Sequence, residues 1–249
     1  MIDDGGVLPG EPLPVRLMNT IWADRRGVRH DSIATAAELA SWLQATDLAG
    51  PSTPVTAGDL AQARQLRDAL RILAAVATAS RQEAVPAAGA AATAHGAAAT
   101  ADGAAATAHG ADGTASGAGT TAPGGGAGVA DEGDLAAAVA TVNAIAAGHS
   151  PPRIVSREGR LTADATPAGP PVAAGLALVA AQAIGLLTDP DSPLRACHGP
   201  GCVLYFSRDH PRREWCSAGC GNRARAARHY RRHRAGGSQP ASEAPRLSR

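Results

Sequence analysis

The 249-residue sequence predicts a mainly α protein, α+β overall: a helical N-terminal domain with one small β-hairpin, followed by a C-terminal cysteine module built from a short hairpin and one basic helix. Three observations predict it. Apolar residues recur at helical spacing in several segments before position 190. The stretch RIVSREGRLTA (153–163) has a strand–turn–strand pattern. All four cysteines, and 10 of the 23 arginines, crowd into the forty residues from Arg195 to Arg234.

Residues 1–12 read as a flexible tail. From Pro14 to Ala23, Leu17, Met18, Ile21 and Trp22 fall on one helical face, with Pro14 in the first turn and Arg25-Arg26-Gly27 as the stop. Thr35-Ala-Ala-Glu38 has the capping-box form, so a second helix starts there, with Leu39, Trp42 and Leu43 on its apolar side. Pro51 and Pro54 mark a loop. A third helix is predicted over 56–79, striped by Leu66, Leu70, Leu73 and Ala77.

Residues 84–130 differ in kind. AATAHGA, AATADGA, AATAHGA and DGTASGA (91–118) form a degenerate seven-residue repeat with glycine in every copy and no large apolar residue. Such a segment cannot bury enough surface to offset about 1–2 kcal/mol of backbone entropy per residue, so it reads as a disordered insertion. His95 and His109 lie too far apart within it to define a metal site.

Order is predicted to resume near Asp131 with a helix carrying Leu135, Val139, Val142 and Ala146, stopped by Gly148 and Pro151. The 153–163 hairpin turns at Glu158-Gly159. Val172 to Leu187 is very apolar. Its sixteen residues reach about 24 Å at 1.5 Å per residue, against about 30 Å of hydrocarbon, which favours a buried core helix over a membrane span. Asp189 to Pro193 reads as a hinge. The expected domains are therefore 13–190, containing the 84–130 insertion, then 191–235, then a disordered tail over 236–249.

The cysteines are spaced C-x4-C, thirteen residues, C-x3-C: Cys197, Cys202, Cys216 and Cys220. Two close pairs joined by a short segment suit a tetrahedral site, and one structural Zn2+ held by four thiolates is the expected occupant. Such a site is closed and leaves no position for a reactive water. His198, His210, His229 and His233 are then surplus to the shell. The Gly-Pro-Gly turn of the first pair, the strand formers Val203 to Phe206 and a helix bearing the second pair together resemble a treble-clef finger.

Formal net charge is +1, but 195–234 holds ten arginines against Asp209 and Glu214, a local +8 that leaves −7 for the rest. There is no lysine, so arginine is also this chain's default surface cation. On a helical wheel Arg223 falls with Cys216 and Cys220, whereas Arg225, Arg228 and Arg232 fall opposite. Six arginines in twelve residues repel one another, and a polyanion is the natural partner, with duplex DNA first. The candidate nucleic-acid contacts are Arg212, Arg213, Asn222, Arg223, Arg225, Arg228, Arg231 and Arg232. An acidic protein partner, which would make this an interaction adaptor, and RNA remain as alternatives. No phosphate-loop, G-x-S-x-G or H-E-x-x-H motif is present, so an enzyme is not expected. The acidic MIDDGG start lacks the features of a signal peptide, and thiols kept for a metal fit a cytoplasmic protein.

At Cys220-Gly221-Asn222-Arg223 the sequence resembles the CGNR zinc finger of bacterial stress-induced transcription regulators, together with Arg212-Arg213-x-Trp215-Cys216-Ser217 and the basic helix that follows. The family carries an N-terminal helical ABATE domain, which Leu17-Met18-Asn19-Thr20, Asp31 and Glu38-Leu39-x-x-Trp42-Leu43 resemble. The resemblance covers about 13–80 and 131–234. It implies DNA binding by the finger and a regulatory role for the first domain. The loop between the cysteine pairs is shorter than in many relatives, and the repeat at 84–130 has no counterpart in the family pattern. A ligand-sensing pocket near Asn19 or Asp31, taking a small-molecule effector, is weighed against a capping or core role for both residues.

Overall fold

The computed structural model describes residues 8, 10–84, 131–164 and 169–236. Of the expected insertion over 84–130 only Ala84 is described, as the end of a helix, and of the expected tails only Leu8, Gly10, Glu11, Pro12 and Gly236.

Helix α1 (Leu13–Met18) starts after Pro12 and buries Pro14, Val15, Leu17 and Met18. It is shorter than its apolar spacing predicts. The chain leaves the helix at Asn19, and Ile21–Ala23 instead forms strand β1, antiparallel to β2 (Arg29–Asp31). A side chain closes this hairpin: Asp24 Oδ1 accepts from the Arg26 and Val28 amides at 2.8 and 2.9 Å, and Gly27 takes φ +82°. Those two bonds, with the left-handed turn at Gly27, outcompete one more helical turn. Trp22 then stacks on His30 with ring centroids 4.3 Å apart.

Helix α2 (Ala36–Ala45) has the expected capping box: Glu38 N donates to Thr35 Oγ1 and Thr35 N to Glu38 Oε2. Helix α3 (Ala57–Ala84) has another, formed by Thr56 and Asp59. Helix α4 (Glu132–Ala146) is capped by Asp131. Strands β3 (Arg153–Arg157) and β4 (Arg160–Asp164) form the expected hairpin, with Glu158 and Gly159 both at positive φ, as a two-residue turn requires.

Helix α5 (Pro171–Thr188) has 18 residues, two more than the sequence suggests. Among the described residues it is the one helix long and apolar enough to cross a membrane. Seven of its residues, including Val172, Leu176, Val179 and Ala183, are buried, against α1, α3 and α4. The chain is mainly α, with three two-stranded hairpins among the described residues.

The body's core joins Leu17, Leu39, Leu66, Leu70, Leu176 and Val179, each essentially inaccessible. Leu194 and Tyr205, both from the C-terminal module, belong to the same cluster. Burying each side chain of this size contributes about 1.5–3 kcal/mol. The expected hinge is also fastened. Ser192 is buried, its hydroxyl donates to Leu186 O, and Arg81 Nη2 donates to Leu187 O and Asp189 O at 3.0 Å. The module is thus packed onto the helical body.

Candidate metal centre and nucleic-acid interface

Strand β5 (Leu194–Ala196) pairs antiparallel with β6 (Tyr205–Ser207), and the loop between them carries the first cysteine pair. Cys197 N donates to Leu204 O at 2.9 Å, and Cys202 N to Gly199 O at 2.8 Å, which draws the loop into a knuckle. Gly199 lies so close to the second pair that a Cβ there would stand 2.9 Å from Cys220 Cβ. Helix α6 (Ala218–Gly236) follows, with Ser217 as its cap: Cys220 N donates to Ser217 Oγ at 3.3 Å. Cys216 therefore sits just before the helix, and Cys220 in its first turn, where exposed amides and the helix dipole favour thiolate.

The four Sγ atoms lie within 4.8 Å of one another, with Cys216–Cys220 at 3.4 Å and Cys202–Cys216 at 3.7 Å. A zinc ion about 2.3 Å from four sulfurs in a regular tetrahedron sets them about 3.8 Å apart, so the cluster fits that ion. Thiol hydrogen bonds from Cys202 and Cys216 pull Cys197 down to about 7, and those of Cys197, Cys202 and Cys216 pull Cys220 down further. The same contacts push Cys202 and Cys216 up, because unscreened neighbouring thiolates cannot all form. The four cysteines thus make a site for one structural Zn2+, whose charge would let all four ionise.

Around this centre each residue of the C-G-N-R run has a physical task. Gly221 faces Trp215, and a Cβ there would stand 3.0 Å from the indole Cδ1. Asn222 Oδ1 accepts from Arg225 Nη2. Arg223 Nη2 donates to Cys220 Sγ at 2.9 Å, a contact that favours thiolate at this ligand. Arg223 thus stands on the metal side, as its wheel position indicates.

The other predicted contacts separate into two groups. Arg212, Asn222, Arg225, Arg228, Arg231 and Arg232 are exposed. No carboxylate among the described residues pairs with these arginines. Arg213 differs: it bonds Glu11 Oε1 at 2.7 Å and Ser207 O at 2.9 Å, and lies over the Phe206 ring. These contacts give Arg213 a structural task in place of an outward-facing one. Beyond Ala224, which is buried, α6 runs free of the body, and residues 228–233 are all exposed. That free part, residues 225–236, is about 18 Å long.

Glu11, which fastens the finger to the start of α1, is a residue that sequence reasoning missed, since it lies in the expected tail. Its side chain is 1% exposed, and its Oε2 accepts from Ser207 N at 2.6 Å. Burial raises its pKa; the Ser207 amide and Arg213 pull the other way without prevailing. Leu8, also from that stretch, packs into the finger's own core with Leu204, Phe206 and three of the cysteines. A charged residue among prolines carries no single-sequence signal of such a partner.

Asn19 and Asp31 have structural partners in place of a ligand. The Asn19 amide spans the Tyr205 backbone, donating to Tyr205 O at 2.8 Å and accepting from Tyr205 N at 2.9 Å. Asp31 accepts from buried Arg67 at 2.7 Å and from the Ile33 amide at 3.0 Å. Arg71, also largely buried, reaches Met18 O and Val203 O, which ties α3 to both α1 and the knuckle. Two surface concavities lie elsewhere. One is lined by Pro200, Trp215, Ala224, Ala227, Arg228 and Arg231, beside the basic helix. The other lies between the loop after α2 and the start of α5.

A helical body locked to a four-cysteine finger with a projecting basic helix defines a two-part zinc-finger protein. Residues 11–127 match ABATE, described as "Putative stress-induced transcription regulator", and residues 194–233 match the CGNR zinc finger. The two matches stand in the N-to-C order of CGNR zinc-finger proteins with an N-terminal ABATE domain. The ABATE match runs across the repeat and ends before α4. No curated protein matches the chain.

Proposed function

We propose that the protein is a zinc-dependent regulator of transcription that binds duplex DNA through α6. The observation that carries this reading is the projecting helix: Arg225, Arg228, Arg231 and Arg232 are exposed on a rod anchored at one end by the cysteine centre. Exposed arginines with no carboxylate partner among the described residues gain most from a regularly spaced polyanion. A rod about 10–12 Å across also fits a major groove about 12 Å wide. The metal has no catalytic part in this reading; it aims the helix. The body holds the finger in a fixed orientation, and a regulatory role for it rests on the family description.

The test is anisotropy titration of zinc-loaded protein with a pool of random duplexes at several salt concentrations. If about five phosphates are neutralised, log affinity falls against log salt with a slope near −4.5. Replacing Arg225, Arg228 and Arg232 together by alanine should cut that slope by about 2.7 while zinc content stays at one per chain. Absence of binding to any duplex, or binding indifferent to salt, would sink the reading. Preference for single-stranded or structured RNA in direct competition would replace it with an RNA-binding one.

A further inference from the structure

Helix α6 carries a second pair of ligand-type side chains that the cysteine centre does not use. His229 and His233 are four residues apart, so they stand one above the other on the same face. Their Nε2 atoms are 3.0 Å apart and their ring centroids 4.2 Å apart, and both residues are exposed. A metal ion about 2.0–2.1 Å from two nitrogens, which subtend roughly 90–110° at it, separates them by about 2.8–3.4 Å. The two imidazoles therefore already stand at a chelating separation, and ligation needs no rearrangement of the backbone.

We propose that His229 and His233 bind one borderline divalent transition cation, of the Zn2+ or Ni2+ class, through both Nε2 atoms. The ligand class follows from the donors. Imidazole suits these ions, whereas Ca2+ and Mg2+ need oxygen ligands, and α6 contains no Asp or Glu. Two protein ligands leave coordination positions open for water or an anion, unlike the closed cysteine centre. Arg225 lies one turn before His229, and Arg232 directly precedes His233. Their charge opposes the cation, so this site fills after the four-thiolate one, and the same charge draws an anion to the open positions. The proposal stands independently of DNA binding, since the nitrogens alone define it.

The test uses the full chain without a histidine tag, prepared with one Zn2+ per chain and titrated calorimetrically with further Zn2+ in a non-coordinating buffer. The wild type takes up one more cation than the His229→Ala/His233→Ala variant, and both keep the first zinc. Equal uptake by the two, or no second uptake by the wild type, overturns the site. A readout without substitution is the proton spectrum of the zinc-loaded wild type titrated with Ni2+. The His229 and His233 ring resonances should broaden before those of His30 and His149, and simultaneous or later broadening also overturns it.

Discussion

At the residue scale the molecule is joined by single side chains that stand in for secondary structure. Asn19 presents one acceptor and one donor to Tyr205, as a neighbouring strand would. Asn19→Ala leaves the Tyr205 amide buried and unpaired, and should cost about 1–3 kcal/mol in denaturant unfolding of the zinc-loaded protein. A neutral result there would show that water replaces the amide. Glu11 behaves differently because burial holds its pKa above 4.5, so folding favours its protonated form. Its contribution is fully present below the unfolded value of 4.5 and is lost as pH rises through the folded pKa. The stability gap between wild type and Glu11→Gln should therefore widen as pH is lowered toward 4.5, as read by paired unfolding curves. A gap that narrows would mean that the ion pair with Arg213 outweighs desolvation. Both residues illustrate why the site was only partly legible. The cysteine spacing announced itself because its ligands lie close in sequence. Asn19 and Glu11 meet partners nearly two hundred residues away, and no local pattern reports that.

At the scale of the element, α6 is the most informative helix. Its period placed Arg223 beside the sulfurs and Arg225, Arg228 and Arg232 away from them, and the structure puts Arg223 on Cys220. Helix α1 shows the opposite case. Ile21 and Trp22 keep helical spacing, yet the Asp24 side chain closes a hairpin and takes them into β1. Apolar period reports which residues are buried, but a turn-forming aspartate decides where the helix stops. Gly221 offers an element-level test. Glycine inside a helix is disfavoured by about 1 kcal/mol relative to alanine, so Gly221→Ala would ordinarily stabilise α6. Here the added methyl meets the Trp215 ring, and crowding in packed sites costs about 1–3 kcal/mol. Net destabilisation, with a changed Trp215 environment in near-ultraviolet dichroism, is the expected result; a gain in stability would show that the indole yields freely.

At the scale of the whole molecule, the finger and the body share one core. Leu194 and Tyr205 belong to the body's apolar cluster, while Leu8 belongs to the finger's. Arg71 and Arg81 fasten the two from the body side. Structural zinc sites contribute about 10–16 kcal/mol of apparent binding energy, which is folding energy for the segment they hold. Chelation should therefore lower the unfolding midpoint of the helical body as well as the finger, in one transition by far-ultraviolet dichroism. Two separate transitions, with the body unmoved, would show the shared core to be energetically idle. The expected hinge at 189–193 misled for the same reason: aspartates and prolines signal a loop, but Ser192 and Arg81 decide whether it moves.

The side chains of Leu8 and Glu11 meet residues 204–213, so an early stretch of the chain is held by a late one. A ribosome delivers these two stretches nearly two hundred residues apart, so Glu11 and the base of α1 have no partners until the finger has followed. A copy truncated before residue 204 would lack the partners of Leu8 and Glu11, so the contacts that dock this early stretch are completed only when the finger is in place.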